Sequence, residues 1–516
     1  MKSPVAMARS SGLYRAERGF TLVEVLIATA IALLLMAGIV TLFASVSETV
    51  TRGQAMMETV DRLRGVQHRL QTDLKYVTAR MVPPLDPSDE LGYTEIIEGA
   101  GPYLITGYGT EPINGDTGGN DTTVGDVDDI FMCTVRSFGE PFIGKAEPLG
   151  PGDSGAFSSQ VAEVCWFLRG TTLYRRVLLI SPEKTIPSAW YNAMYAYADI
   201  SVRQEGGSAE THANWGGQRL VTNSLGDLTK RENRYAHTPR FGGHPTEGYP
   251  HDVRWWSRTT PPNFNQYYTH LGLPTLQECS DPTWPFPLFG ARPIFPNAAD
   301  SRQIDYWVDP YGPNLDRETG ALPGYDRGQR VAQDVALKNV LSFDVKVWDG
   351  MAPVFSTGST GGTAPVALLP GDPGYRAALQ TWVANNMPAN QVMSRGAYVD
   401  LYYTRGIAGA SQISWFSGPG NPRSQLHAPN ADAPAIWDTG STHYEYDGVD
   451  QDGNGIVDDA NDGLDNNNVG GVDDFSERET APPYNAPVRS IQIKIRVFEP
   501  DSRQIREVTV TQDFLP

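Results

Sequence analysis

The chain's long apolar run extends from Phe20 to Val46 and carries one charge, Glu24. A helix rises ~1.5 Å per residue, so roughly 27 residues reach about 40 Å and can cross a ~30 Å hydrocarbon core. After Arg52 the apolar positions become Met56, Val60, Leu63, Val66, Leu70, Leu74, Val77 and Met81, three or four apart, which is the stripe of an amphipathic helix. Glu58, Asp61, Arg62, Arg64, Arg69, Asp73 and Lys75 fall between them and suit a solvated face. Gly53 is a weak point where the two patterns join. The spacing therefore predicts one helix from Phe20 to about Arg80, closed by Pro83-Pro84.

Beyond Pro84 the apolar stretches shorten and Gly, Pro, Asp and aromatics dominate, which predicts a β-rich head over 81–516. Strands are expected at Asp129–Val135, Val161–Leu168, Thr172–Ile180, Val340–Trp348, Ala397–Tyr403, Arg489–Glu499 and Arg503–Phe514. The last two flank Pro500-Asp501-Ser502, a hairpin turn, within a carboxyl-terminal segment 485–516. The head is larger than one core usually grows, about 250 to 300 residues. The expected insertion is 181–330, where strands are hard to find and Trp255-Trp256 and Trp284-Pro285-Phe286-Pro287 suggest ordered loops pinned by aromatics. The same aromatics, with Asn, Gly and Arg, suit a surface for carbohydrate or a partner protein. The fold class is α+β: a long membrane-spanning helix, 20–80 with 20–46 in the bilayer, packed on a β-rich head with long loop insertions.

Lys2, Arg9, Arg15 and Arg18 precede the apolar run against Glu17, and basic flanks hold that side in the cytoplasm. The expected topology is a single pass through a bacterial inner membrane, amino terminus cytoplasmic and head periplasmic. A secretory signal would carry its cleavage site after the apolar region. Here the Gly19-Phe20 pair stands before it.

Gly19-Phe20-Thr21-Leu22-Val23-Glu24 resembles the class III signal of type IV pilins and type II secretion pseudopilins over Gly19 to about Ala44. The resemblance implies that 1–19 is a leader, that a prepilin peptidase cuts between Gly19 and Phe20, and that the new amino group of Phe20 is methylated. An alternative start at Met7 leaves that bond unaffected. A carboxylate at the centre of a membrane helix costs ~2.5 kcal/mol or more unless paired. The resemblance supplies the partner, the Phe20 amine of a neighbouring pilin meeting Glu24. It further implies the family's lollipop shape. Leu173-Tyr174-Arg175-Arg176, after the turn Arg169-Gly170, is similar to the J-type minor pseudopilins and W-type minor pilins.

Residues 447–474 contain nine aspartates and no Lys or Arg, in two copies offset by 15 residues with seven of thirteen positions identical. In the first, Asp450, Asp452, Asn454, the Ile456 carbonyl and Asp458 place oxygens at alternate positions, with Gly455 at the sharp turn and Val457 as an apolar pin. Such hard oxygen ligands suit structural Ca²⁺. Asn461 stands where an EF-hand has its bidentate glutamate, so Asp459 or Asp462 must substitute, as in the dockerin-like and thrombospondin-type repeats these residues resemble. The second copy keeps Asp462, Asp465, Asn467, Asp473 and Asp474 but has Val469 for the turn asparagine, and is expected to share the first ion or cap it.

The net charge of −19 and pI near 4.9 argue against a nucleic-acid surface. Cys133 and Cys165 both fall in expected strands and could pair, leaving Cys279, or all three could be buried thiols. Gly152-Asp153-Ser154-Gly155 resembles a serine-protease nucleophile segment but lies in a Pro-Gly-rich loop with no histidine of the head before it, and reads as a turn. His237, His244 and His251 recur every seven residues, yet Pro239, Pro245 and Pro250 break any helix that would align them. No enzymatic activity is expected. The leading reading is a minor, tip-located pilin or pseudopilin that initiates or caps a filament, in type II secretion or a type IV pilus, with other pilins and secreted cargo as partners. The alternative is a pilin-displayed adhesin or carbohydrate- or protein-binding module.

Overall fold

The computed structural model describes residues 20–98, 129–148, 155–191, 194–205, 219–237, 254–255, 269–270, 273–281, 316, 318–321, 328–357, 366–410, 412–417, 435–450, 454–480 and 482–514. The chain divides into two units, one to Thr59 together with Pro500–Ser502, and one of Val60–Glu499 with Arg503 onward.

The first unit is the apolar part of helix α1, Leu22–Lys75, whose residues to Val50 are exposed. It is the one helix among the described residues long and apolar enough to cross a membrane. Solvent-exposed leucine, isoleucine and phenylalanine at this density are what a bilayer or a bundle of like helices would cover.

In the second unit α1 buries Leu63, Val66, Leu70, Asp73 and Leu74. Asp73 is a correction to the solvated face expected for it. The helix also ends five residues before Arg80: the backbone turns to join a strand, with Thr78 N–H donating to the Thr134 carbonyl (2.9 Å) and Arg136 N–H to the Tyr76 carbonyl (2.9 Å). Sheet pairing outcompetes the helical ladder there, although Val77 continues the helical stripe.

The strands run β1 Thr94–Glu98, β2 Ile130–Arg136, β3 Phe142–Lys145, β4 Ala156–Ser159, β5 Val161–Arg169, β6 Thr172–Leu179, β7 Val202–Glu205, β8 Arg219–Thr222, β9 Arg254–Trp255, β10 Thr269–His270, β11 Val335–Leu337, β12 Val340–Thr357, β13 Val366–Leu368, β14 Ser394–Val399, β15 Ala435–Asp438, β16 Ser490–Glu499 and β17 Gln504–Asp513. One six-stranded antiparallel sheet has the order β11-β6-β5-β2-β1-β15, and a five-stranded sheet is β13-β12-β16-β17 with β14 also on β12. The β16–β17 hairpin closes with Glu499 opposite Gln504, so Arg503 (φ 53°) belongs to the turn, not the strand. Ala397–Tyr403 is displaced to Ser394–Val399, because the chain from Leu401 onward turns instead of pairing.

The six-stranded sheet is covered on both faces, which explains the unbroken apolar run Ile130-Phe131-Met132-Cys133 in β2. One face, with Ile96, Phe131, Cys133, Val164, Trp166, Leu173 and Trp437, packs with α1 and with Val345, Val347, Ile491, Ile493 and Ile495 of the five-stranded sheet. The other, with Ile97, Met132, Cys165, Phe167 and Tyr174, packs under residues of the 181–330 segment such as Trp190, Tyr195, Leu228 and Leu276. That segment therefore supplies a second core layer where loops were expected. Trp256 and Trp284-Pro285-Phe286-Pro287 lie outside the described residues. Cys133 and Cys165 sit on adjacent strands but opposite Val164 and Met132 respectively, one residue out of phase, so their thiols point to opposite faces. All three cysteines are free and buried, and burial lifts the Cys279 thiol to about 12.

Between sheet and inserted layer lies a buried polar network. Glu163 accepts from Tyr93 Oη (2.7 Å), Ser201 Oγ (2.6 Å) and Tyr235 N–H (2.8 Å). Arg234 pairs with Glu95 (3.0 Å) and Asp438 (2.9 Å), and Arg169 with Glu278 (2.9 Å). His237 stands 2.9 Å from Glu95, with Nδ1 2.9 Å from the Tyr235 carbonyl, so it is part of this network; His244 and His251 lie outside the described residues.

Breaking a buried pair leaves a charge without compensation, so Arg234→Met is expected to cost about 3–5 kcal/mol of unfolding free energy, measured by denaturant titration. A second expectation concerns Asp349, where β12 shifts register against β14. Burial pushes its carboxyl up to about 6, despite the bond from Met351 N–H (2.8 Å). The folded state then keeps a proton that the unfolded chain releases near pH 4. Stability from this group is full below pH 4 and falls by about 1.4 kcal/mol per pH unit up to pH 6. Asp349→Asn should flatten that slope relative to the native chain between pH 4 and 6.

Candidate functional site

Two places carry candidate chemistry, and the first is the start of α1. Thr21 and Glu24 form a reciprocal capping box: Glu24 N–H donates to Thr21 Oγ1 (3.2 Å), while Thr21 N–H and its hydroxyl donate to Glu24 Oε2 (both 3.0 Å). Thr-x-x-Glu is the residue pattern that satisfies the orphan amide groups of a helix start. Glu24 is thus held by its own first turn, a capping role carried by the Thr-x-x-Glu pattern itself. Phe20 is 86% exposed. Gly19 lies outside the described residues.

The second place is the acidic repeat, and its two copies share left-handed turns at three matching positions. Gly448 and Gly463 have φ of 79° and 81°, Gly455 and Gly470 of 93° and 87°, and Asp458 and Asp473 of 51° and 52°. All six lie in the left-handed region, where Gly and Asp are tolerated best. Each copy is closed by the same bond: Gly448 N–H donates to the Asp458 carboxylate (3.0 Å) and Gly463 N–H to Asp473 Oδ1 (2.9 Å). The loop is stitched to the head on both sides, since Asp458 N–H donates to Glu479 Oε1 (2.9 Å) and Glu479 N–H to Glu445 Oε2 (3.1 Å).

Within the first copy Gly455 N–H donates to Asp450 Oδ2 (2.9 Å), Ile456 N–H to Asn454 Oδ1 (2.7 Å), and Asn454 Nδ2 to Asp459 Oδ2 (2.9 Å). Asp459 is 3% exposed and so buried among its neighbours. Asp462 is used by the second copy, accepting from Leu464 N–H (2.8 Å) and Asn466 Nδ2 (2.9 Å). Among the described residues no three His, Cys, Asp or Glu side chains form a metal-binding group, and Asp452 lies outside them. Val457 does not pin the loop as expected: it and Ile456 are exposed, as are Leu464, Val469 and Val472. The tight glycine turns hold the loop instead.

Gly152, Asp153 and Ser154 lie outside the described residues.

The model of the prokaryotic N-terminal methylation motif matches residues 14–40. A pilin-like protein, PilA3, of Thermus thermophilus is 47% identical over 64 residues, which are 12% of this chain and 28% of that relative. The match thus spans less than a third of the relative's length. No solved structure matches.

Proposed function

We propose that this chain, which belongs to the type IV pilin family by its amino-terminal signal and helix, is a low-copy subunit at the tip of a filament. The observation that carries the reading is the size of the unit from Val60 onward: two large β-sheets and two hydrophobic cores. A subunit repeated along a filament must fit beside its neighbours at every step, and a head this bulky is hard to accommodate there. A prepilin peptidase would free the Phe20 amine on the cytoplasmic face and methylate it. Glu24, already capped onto Thr21, would then meet the amine of an adjacent pilin in the inner membrane. The head would stand in the periplasm or, once drawn into a filament, at its outer end, priming assembly in type II secretion or a type IV pilus. Its role is structural, with no catalytic step.

The other reading, a displayed carbohydrate- or protein-binding module, draws no support from Trp190, Tyr195 and Tyr235. These side chains are buried; Trp190 stacks on Tyr197 (5.8 Å), and Tyr195 meets Tyr235 edge-to-face (5.7 Å).

Antibody against the head, applied to filaments sheared from cells, should label one end; label along the whole length would overturn the tip assignment. In the same preparation mass spectrometry should find an amino-terminal N-methylated Phe20. Glu24→Ala should leave cleavage intact and cut recovery of the subunit in filaments by about tenfold or more, the effect of losing a buried charge pair.

A further inference from the structure

We propose that the side chains of Lys346 and Asp400 join in an intramolecular amide bond, with Asp344 as the acid-base group of the condensation. The inference is independent of the filament role.

The register of β12 against β14 brings the groups together. Val347 pairs with Val399, so one step further along the antiparallel ladder Lys346 and Asp400 stand opposite each other. Asp344 lies two residues back on β12 and so on the same face. Lys346 Nζ donates to Asp400 Oδ1 and lies 2.9 Å from Asp344 Oδ1. Side-chain exposure is 12% for Lys346, 13% for Asp344 and 7% for Asp400, so water reaches the cluster poorly. Among the described residues both carboxylates have their ion pair with Lys346, although Lys494 stands opposite Asp344 on β16.

The second carboxylate sets this cluster apart from an ordinary ion pair. Asp344 Oδ1 is buried and, for all its closeness to Nζ, has no aligned hydrogen-bond donor among the described residues. It is placed to take a proton that Nζ sheds only on forming a new bond, and afterwards to accept from the one N–H that the product amide keeps.

Burial works against the Lys346 ammonium, yet Asp344 and Asp400 outweigh it and hold its pKa well above the ordinary value. Burial also raises the Asp400 carboxyl. The pair therefore begins charged. One proton passes from Nζ along the hydrogen bond to Asp400, giving an amine beside a carboxylic acid, the neutral form that a poorly hydrated site favours. Nζ then attacks Cγ of Asp400, Asp344 carries a second proton from Nζ to the departing hydroxyl, and the Cγ–O bond breaks with release of water. The third proton stays on the amide nitrogen, Asp344 ends as it began, and no oxidant or co-reactant enters. Neighbouring strands supply the proximity that such a condensation lacks in water. The bond would close residues 346–400 into a covalent ring across the five-stranded sheet.

The test is peptide mass spectrometry on the full chain, purified in detergent and unfolded before digestion with trypsin. Trypsin cannot cut after an acylated lysine, so the expected product is one branched peptide, Asn339–Arg376 joined to Gly396–Arg405, lighter by one water than the two together. Separate Asn339–Lys346 and Gly396–Arg405 peptides in place of the branched one overturn the proposal, whatever the variants do. Lys346→Arg and Asp400→Ala should each abolish the branched peptide. Asp344→Asn should slow its formation by about a hundredfold, the smaller end of general acid-base assistance, read as the branched fraction in samples taken over time after synthesis. If Asp344→Asn fails to fold, Asp344→Ser, which also lacks the carboxyl, decides in its place with the same expected slowing. Formation at the native rate in the folded variant overturns the role of Asp344.

Discussion

Asp73 is a carboxylate buried in the last turn of a long helix, and the head is arranged around satisfying it. It accepts from Trp166 Nε1 (2.8 Å) on β5 and from Arg175 Nε and Nη2 (2.8 and 2.7 Å) on β6. The fork of Arg175 meets the carboxylate side-on, and its guanidinium also lies 5.7 Å from the Trp166 ring. Three donors from two strands fix both the rotation of α1 and its height over the sheet. Hydrophobic contacts from Leu63, Val66, Leu70 and Leu74 give the energy of docking, but apolar packing alone permits sliding.

The next residue along β6 does the complementary task. Arg176 points to the opposite face, where it pairs with Asp199 (3.3 Å), and Asp199 is also held by Arg330 (2.7 Å). Adjacent arginines on one strand therefore tie the helix to one side of the sheet and the inserted layer to the other. A register slip of one residue would exchange the two and leave both carboxylates with wrong partners. This accounts for the Arg-Arg pair in Leu173-Tyr174-Arg175-Arg176, and it ties residues of the 181–330 segment to the sheet they cover.

Much of this was legible in the residues. The apolar run, the β5–β6 and β16–β17 hairpins and the β-rich head follow from period and turn chemistry. Asp73 was misread because its charge outweighed its position: it lies seven residues after Val66 and three after Leu70, on the buried stripe itself. The inserted layer was illegible for another reason. Its elements are four-residue helices and strands such as Met194–Tyr197 and Val202–Glu205, too short to show a period, and they are joined by buried ion pairs whose partners lie far apart in sequence. Short strands such as Thr94–Glu98 and Ala435–Asp438 escaped likewise, being buried on both faces and lacking alternation. In the acidic repeat the periodicity was readable, but which aspartates serve the backbone emerged only with the hydrogen bonds.

The most direct test of the central coupling is a double-mutant cycle on Asp73→Asn and Arg175→Met, read as unfolding free energy. The two groups lie in one buried network, so the cycle should return a coupling of about 2–3 kcal/mol, at the upper end for contacting residues. A coupling within about 0.5 kcal/mol of zero, the additivity of independent sites, would contradict the claim that this carboxylate fixes the helix to the sheet.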